Sequence, residues 1–242
     1  MQTENMIKPA SLLDKISDAE WKALADKYDQ QRAQPSRPSS YRVNKFRSEA
    51  RLHWDRFYHR NKDRFFKDRQ WTDRECAELL KDNIHVLEAG CGAGNFLWPI
   101  LEKNPRIARL YACDFAASAI ALIKNHPRYQ VDLVHAFVAD LTTVRLVPDH
   151  VPKASIDVVT MLFVLSAIQP IYFAGVIHNI KETLRPGGLI FFRDYAVLDN
   201  TQLRFKSDQI LEDNMYLRTD GTMSYFFTEG TVYLNVGIKT PR

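Results

Sequence analysis

The chain has 242 residues, 45% hydrophobic and 26% charged, an ordinary balance for a globular protein able to bury one substantial core plus an appendage. A net charge of +4 is too mild to indicate a nucleic-acid partner by itself. No apolar run approaches the ~20 residues that cross a bilayer. The opening "MQTENMIKPASLLDK" carries an early acid and no long apolar stretch, so it does not read as a secretion signal. Cys76, Cys91 and Cys113 offer neither a disulfide framework nor zinc-ligand spacing; a reducing, intracellular compartment and no membrane partner are expected.

In chain order, "SDAE" at 17–20 has the form of a capping box and predicts a peripheral helix over 18–33. "AQPSRPSSY" at 33–41 reads as a linker, so residues 1–40 form an N-terminal helix and linker. From Tyr41 the spacing of Phe46, Ala50, Trp54 and Phe57/Tyr58 fits one helix face. Residues 53–71, "HWDRFYHRNKDRFFKDRQW", pack six aromatics and six Lys or Arg into nineteen positions, and residues 41–74 hold eleven basic against five acidic side chains. "TDRE" at 72–75 predicts a second capping box and a short helix ending before His85. Residues 41–83 are thus a basic, aromatic, helical appendage.

Beyond it, residues 84–242 change rhythm. Apolar runs at 85–90, 109–114, 134–140, 156–165 and 189–195 read as strands, with helix-compatible stretches at 95–103, 116–125 and 171–184; "RPGG" at 185–188 is a helix stop. Strands apolar throughout and separated by helices predict an α/β fold, a doubly wound and mostly parallel sheet covered on both faces.

The first strand runs into "EAGCGAGN". Gly90, Gly92 and Gly94 lie between a strand and a helix, the context of a nucleotide-binding loop. A dinucleotide fingerprint starting at Gly90 requires glycine at 95, where Asn95 stands. The pattern is instead E-x-G-x-G-x-G from Glu88, which resembles motif I of the class I methyltransferases, enzymes that use S-adenosylmethionine. Asp114 closes the second strand, where a carboxylate accepts from ribose hydroxyls. By the same resemblance Asp140 and Leu141 meet the adenine edge, and Leu162 and Phe163 line the cofactor's other side.

A narrower resemblance follows from "WDRFY", "FFKDRQW", "LEAGCGAGN", "YACDF", "FVLSA", "FFRDY", "LRFK" and "DGTMSYFF". In order, these are similar to motifs of the eukaryotic methyltransferase-like tRNA 3-methylcytidine methyltransferases, across roughly residues 50–228. The resemblance implies methyl transfer from S-adenosylmethionine to cytidine N3 in the tRNA anticodon loop, in the cytoplasm and also the nucleus. It implies that Trp54 and Tyr58 close over a cofactor held by Glu88, Gly90, Gly92, Gly94, Asp114, Asp140, Leu141 and Leu162. Substrate choice in such families can depend on an aminoacyl-tRNA synthetase such as seryl-tRNA synthetase. After "SYFFTEG" the family continues through a helix and two strands; "TVYLNVGIKTPR" has room for one strand around 231–238, so a shortened C-terminal sheet edge is expected.

The reaction needs alignment more than proton transfer, because cytosine N3 carries an in-plane lone pair. Asp194, at the carboxyl end of the fifth strand, is the candidate group for steadying the cation that develops on the base, with Arg193 beside it for a phosphate or the cytosine O2. The competing reading is that both order the loop. Arg60, Arg64, Lys67 and Arg69, then Arg204, Lys206 and Arg218, are candidate RNA contacts. Phe65, Phe66 and Trp71 either stack on an unpaired base or anchor the appendage; the sequence leaves both open. His126, His135 and His178 lack motif partners, and no metal is expected. Two other readings stand beside this one: a truncated non-catalytic subunit that binds RNA or a partner, and a methyltransferase acting on protein or a small molecule.

Overall fold

The computed structural model describes residues 17–33, 38–228 and 230–231. The first capping box forms: Glu20 N–H donates to Ser17 Oγ at 3.2 Å, and Ser17 N–H donates to Glu20 Oε2 at 2.7 Å. It opens α1 (Asp18–Ala33). This helix lays Trp21, Leu24 and Tyr28 against Leu198 and Leu203, and Tyr28 donates to Asn214 Oδ1 at 2.7 Å. The helix expected from Tyr41 is two helices, α2 (Ser40–Ser48) and α3 (Ala50–Asn61), broken at Glu49 with φ −94 and ψ 5.

The second capping box does not form. The buried Thr72 hydroxyl donates to Arg69 O at 3.0 Å, and α4 (Thr72–Glu75) has Trp71 at its N-cap without a side-chain bond. The Thr72 hydroxyl is taken by the preceding turn, and α4 ends after a single turn.

The main domain runs β1 (His85–Ala89), α5 (Leu97–Lys103), β2 (Arg109–Asp114), α6 (Ala117–Lys124), β3 (Val134–Val138), β4 (Ile156–Leu162), α7 (Phe173–Thr183) and β5 (Leu184–Arg193). The five strands are parallel in the order β3-β2-β1-β4-β5. Alternate residues serve opposite faces: Leu87, Cys113 and Val159 join one core, while Val86, Leu110 and Val158 join the other. The chain winds outward from β1 to β3, then returns to the far side of β1 for β4. That reversal opens a crevice at the strands' carboxyl ends. "RPGG" does stop α7, yet it already belongs to β5, with Gly187 at φ +81 and a register shift between Ile156 and Val158.

Among the described residues β5 is an edge of the sheet, its Leu189–Phe192 side chains half-buried. The strand expected around 231–238 lies outside the described residues, apart from Thr231. A feature not expected is a second, three-stranded antiparallel sheet of β6 (Ile210–Glu212), β7 (Met215–Leu217) and β8 (Met223–Tyr225). The turn at Asp220 and Gly221 joins β7 to β8, with Arg218 N–H donating to Thr222 O at 2.8 Å. Tyr225 and Phe227 pack on Phe173, and Phe227 on Phe192, so this small sheet covers one face of the large one.

Trp54, Phe57 and Tyr58 share one face of α3 and pack on Ala116 and Ala119 at the start of α6. The N-cap of α6 is Ala116, which has no capping oxygen; Asp55 of α3 substitutes, accepting from Ser118 N–H at 3.0 Å and Ser118 Oγ at 2.9 Å. Asp55→Ala is expected to cost about 1–2 kcal/mol in urea unfolding, and Asp55→Asn less, because the amide oxygen still accepts.

Candidate active site

Strand order arranges the candidate groups in a line. Across the sheet stand Asp140 just beyond β3, Asp114 ending β2, Glu88 in β1, Phe163 after β4 and Asp194 after β5. A cavity of about 280 Å³ opens there, lined among others by Trp54, Tyr58, Gly90, Asp114, Asp140 and Leu141.

The glycine loop hangs on β2. Gly90 and Cys91 N–H both donate to Cys113 O, at 2.8 and 2.9 Å, and Gly92 N–H donates to Asp114 Oδ2 at 3.0 Å. Gly92 has φ +52, and a Cβ there would lie 2.6 Å from Tyr58 Oη. The loop therefore needs glycine both for its conformation and for the aromatic seated on it. Trp54 and Tyr58 stack with centroids 5.8 Å apart. Both are buried over the loop.

Asp114 is 7% exposed; its Oδ1 accepts from Ala116 N–H at 2.9 Å. Burial pushes its pKa up to about 6, against the opposing bonds from Ala116 and Gly92. Each oxygen retains a lone pair for a further donor. Asp140 takes Thr142 N–H at 2.9 Å and Thr142 Oγ1 at 2.7 Å, both on Oδ1, which fixes the turn beside the cavity. Buried Asn179 of α7 braces the same loop through Leu146 N–H at 3.0 Å and Val144 O at 2.7 Å.

Glu88 is 3% exposed and its Oε2 is buried without a hydrogen-bond partner. Burial raises its pKa well above the usual carboxylate range, with the Arg69 cation opposing and Asp114 adding. Asp194 accepts from Ser166 N–H and Tyr195 N–H, each at 2.9 Å, and burial pushes its pKa up to about 6. Arg218, expected as an RNA contact, lies over Tyr195 at 5.5 Å and lowers the Asp194 pKa.

Three expectations require correction. Arg193 does not join Asp194: successive strand residues face opposite sides, and its Nη1 donates to both Glu75 carboxylate oxygens, 2.6 Å to each, with the guanidinium over the Trp71 ring at 4.3 Å. Leu162 packs beneath the loop in the core; Phe163 and Val164 supply that wall of the cavity. Phe163 reaches it at φ +61, held by its N–H to Arg193 O at 2.8 Å. Arg69 is half-buried over Phe163 at 4.7 Å, not displayed on the surface.

The other cations remain outside. Arg60, Arg64, Lys67 and Arg204 are exposed, and Lys206 lies with Arg42 and Arg218 in a separate shallow groove. Phe66 packs half-buried on Phe57, while Phe65 is 58% exposed; Trp71 packs against Phe191. These aromatics therefore anchor the appendage, with Phe65 still presented to solvent. His126 stacks on Trp98, His135 packs against Phe137, and His178 is exposed. Among the described residues no group of three or more His, Cys, Asp or Glu is arranged to hold a metal ion. Sequence reasoning missed Arg47 and Met223 in the cavity wall. Met223 enters from the unexpected small sheet, and the Asp-Gly turn was its one advance signal.

A parallel doubly wound sheet with a glycine loop, a buried acid ending β2 and an aromatic cover defines a methyltransferase fold. Residues 87–190 match the family model described as a methyltransferase domain. A solved S-adenosylmethionine-dependent methyltransferase from Clostridium acetobutylicum aligns at TM-score 0.54 and 15% identity, over 77% of this chain and 85% of that one. The Burkholderia thailandensis 1,6-didemethyltoxoflavin-N1-methyltransferase, solved with S-adenosylhomocysteine, aligns at 0.53 and 15%, over 80% and 77%. Both likenesses concern the fold alone. The Homo sapiens tRNA N(3)-cytidine methyltransferase METTL6 is 46% identical over 79% of this chain and 69% of its own. The Schizosaccharomyces pombe tRNA N(3)-methylcytidine methyltransferase trm141 is 40% identical over 80% of each. The chain belongs to the tRNA N(3)-cytidine methyltransferase family.

Proposed function

We propose that this chain methylates N3 of cytidine in the anticodon loop of tRNA, with S-adenosylmethionine as donor. The observation that carries the reading is the linear order of groups along the strand ends: Asp140, Asp114 and Glu88 on one side of the β1/β4 crevice, Asp194 on the other. The chain's residues fit a nucleoside with a charged tail. Asp114 keeps acceptor capacity on both oxygens for ribose hydroxyls, and the buried Glu88 Oε2 lacks a donor. Leu141 offers an apolar face for a purine beside the Asp140 acceptor.

When bound, the sulfonium supplies an already activated methyl group. The chain's own residues align and shield. Trp54 and Tyr58 cover the glycine loop and exclude water. Phe163, fixed in a strained backbone conformation, forms the wall between the cofactor side and Asp194. Asp194, ionised at neutral pH, stands where the methylated ring becomes cationic. The base must leave its stack to arrive there. Holding two reactants in line contributes about 7–11 kcal/mol in favourable cases.

Exposed Arg60, Arg64 and Lys67, with Phe65 between them, are proposed to grip the phosphates of the loop. Replacing all three by Gln is expected to reduce the slope of log K against log salt by about 2, at ~0.7 per single-stranded phosphate. Fluorescence anisotropy with a labelled anticodon stem-loop measures this slope; an unchanged slope removes these residues from the interface. On family resemblance alone the proposal extends to a cytoplasmic setting and to an aminoacyl-tRNA synthetase partner for tRNA choice. The activity itself is tested by incubating the chain with tritiated S-adenosylmethionine and total tRNA, then digesting to nucleosides. Labelled 3-methylcytidine is the expected product. Label in protein or small molecules, or none, favours the other two readings.

A further inference from the structure

Phe163, Tyr195 and Arg218 stack in sequence beside Asp194. Phe163 meets Tyr195 with centroids 5.0 Å apart, and the Arg218 guanidinium lies over the Tyr195 ring at 5.5 Å. Arg218 is half-buried and ends the stack without an ion pair. Its Nη2 reaches Ser224 Oγ at 3.4 Å, and among the described residues no carboxylate lies within ion-pair distance of it. A guanidinium over an aromatic face is held by the ring quadrupole, so Arg218 and Tyr195 fix one another. Tyr195 is in turn tied to the acid, its N–H donating to Asp194 Oδ1 at 2.9 Å.

The charge of Arg218 reaches the same carboxylate. Burial pushes the Asp194 pKa up to about 6, and the hydrogen bonds from Ser166 and Tyr195 and the Arg218 cation oppose that rise. Arg69, from the appendage, faces Asp194 as a second cation.

The turn after β7 sets the place of Arg218. Gly221 N–H donates to Arg218 O at 3.0 Å, and Asp220 Oδ1 accepts from Thr222 N–H at 2.9 Å and Thr222 Oγ1 at 2.7 Å. Gly221 has φ +86, and a Cβ there would collide with the His53 imidazole, so the turn is seated on α3. Ser224, the polar partner of Arg218, is 1% exposed in β8. Arg218 thus joins the small sheet and the appendage to the end of β5. On its outer side it lines the groove of Arg42, Phe46 and Lys206, where its competing role is a phosphate contact.

We propose that Arg218 is a positioning residue for the methyl-acceptor side, holding the Tyr195 ring beside Phe163 and offsetting the buried charge of Asp194 without touching the base. The inference rests on the proposed function and gives the small sheet a part in the reaction.

The test reads a pH profile rather than a rate alone. Formation of 3-methylcytidine is followed from pH 5 to 8.5, at saturating S-adenosylmethionine and tRNA, in the wild type, Arg218→Met and Arg218→Lys. Methionine keeps an apolar contact with Tyr195 and removes the cation. Without that cation the ionised carboxylate is less favoured, so the acid limb in Arg218→Met is expected to move upward by about 0.5–1 pH unit, the scale of one screened charge. Arg218→Lys is expected to restore the limb, and the KM for tRNA to stay unchanged in both variants. An unmoved limb in Arg218→Met overturns the proposal; an unmoved limb with a raised KM makes Arg218 a phosphate contact of the groove instead. Arg218→Gln, which keeps a donor for Ser224, gives the same reading if Arg218→Met does not fold. The Asp194 carboxyl is also titrated by carbon-13 NMR, its signal identified as the one missing from Asp194→Asn. This measurement needs no turnover: equal midpoints in the wild type and the uncharged variant overturn the link between Arg218 and Asp194. A wild type that forms no 3-methylcytidine overturns the functional reading, and the role at the methyl acceptor with it.

Discussion

Asp114→Ala is expected to weaken S-adenosylmethionine binding by 100-fold or more while the chain stays folded. Two hydrogen bonds from ribose hydroxyls to a charged acceptor are each worth about 1.5–3 kcal/mol. The substitution also frees the Gly92 and Ala116 N–H groups that the carboxylate now holds, so the glycine loop loses one of its three hydrogen bonds to β2 while those of Gly90 and Cys91 to Cys113 O remain. Asp114→Asn separates the two effects, because the amide keeps one acceptor for the loop and forfeits the charge. Its affinity is expected between those of the wild type and Asp114→Ala.

The same group sets a pH dependence. The Asp114 pKa stands at about 6 in the folded chain, raised by burial from the ordinary ~3.9. The native state therefore binds a proton that the unfolded chain has released between about pH 4 and 6, and this contribution to stability is lost as pH rises through 6. Asp114→Asn removes that dependence and is expected to gain stability relative to wild type above pH 6. Cofactor affinity runs the other way, falling below pH 6 as the acceptor protonates. Calorimetric titration between pH 5 and 8 measures the affinity; a flat profile contradicts the assignment.

Asp194→Asn is expected to lower kcat by roughly 100-fold with cofactor affinity unchanged, the scale for removing one group that stabilises developing charge. Asp194 loses its charge as pH falls through about 6, where an unperturbed aspartate remains ionised. At saturating cofactor the wild-type rate is therefore expected to fall below pH 6, and the variant to lack that limb. Equal kcat in both proteins removes Asp194 from the chemistry. A loss confined to cofactor affinity assigns it to the donor side instead.

The parallel core was legible because buried parallel strands are apolar throughout and glycines mark the loop. β1, β2 and β4 begin where the runs do, and Gly90, Asp114 and Asp140 line one cavity. The small sheet was not legible: strands of three residues, such as Met215–Leu217, carry too little alternation to separate from loop. The capping box at 72–75 misled because a Thr hydroxyl satisfies whichever backbone group the tertiary turn offers. Arg193 misled because adjacent strand residues point apart, and Arg69 because charge count does not reveal which cations the fold draws inward.

The account depends on a nucleoside lying across the strand ends, base at β3 and ribose at β2. A crystal structure of the chain with S-adenosylhomocysteine tests it most directly. Both ribose hydroxyls within hydrogen-bond distance of Asp114, with the purine against Leu141, is the predicted result. A nucleoside seated elsewhere, or one bound with Asp114 untouched, contradicts it.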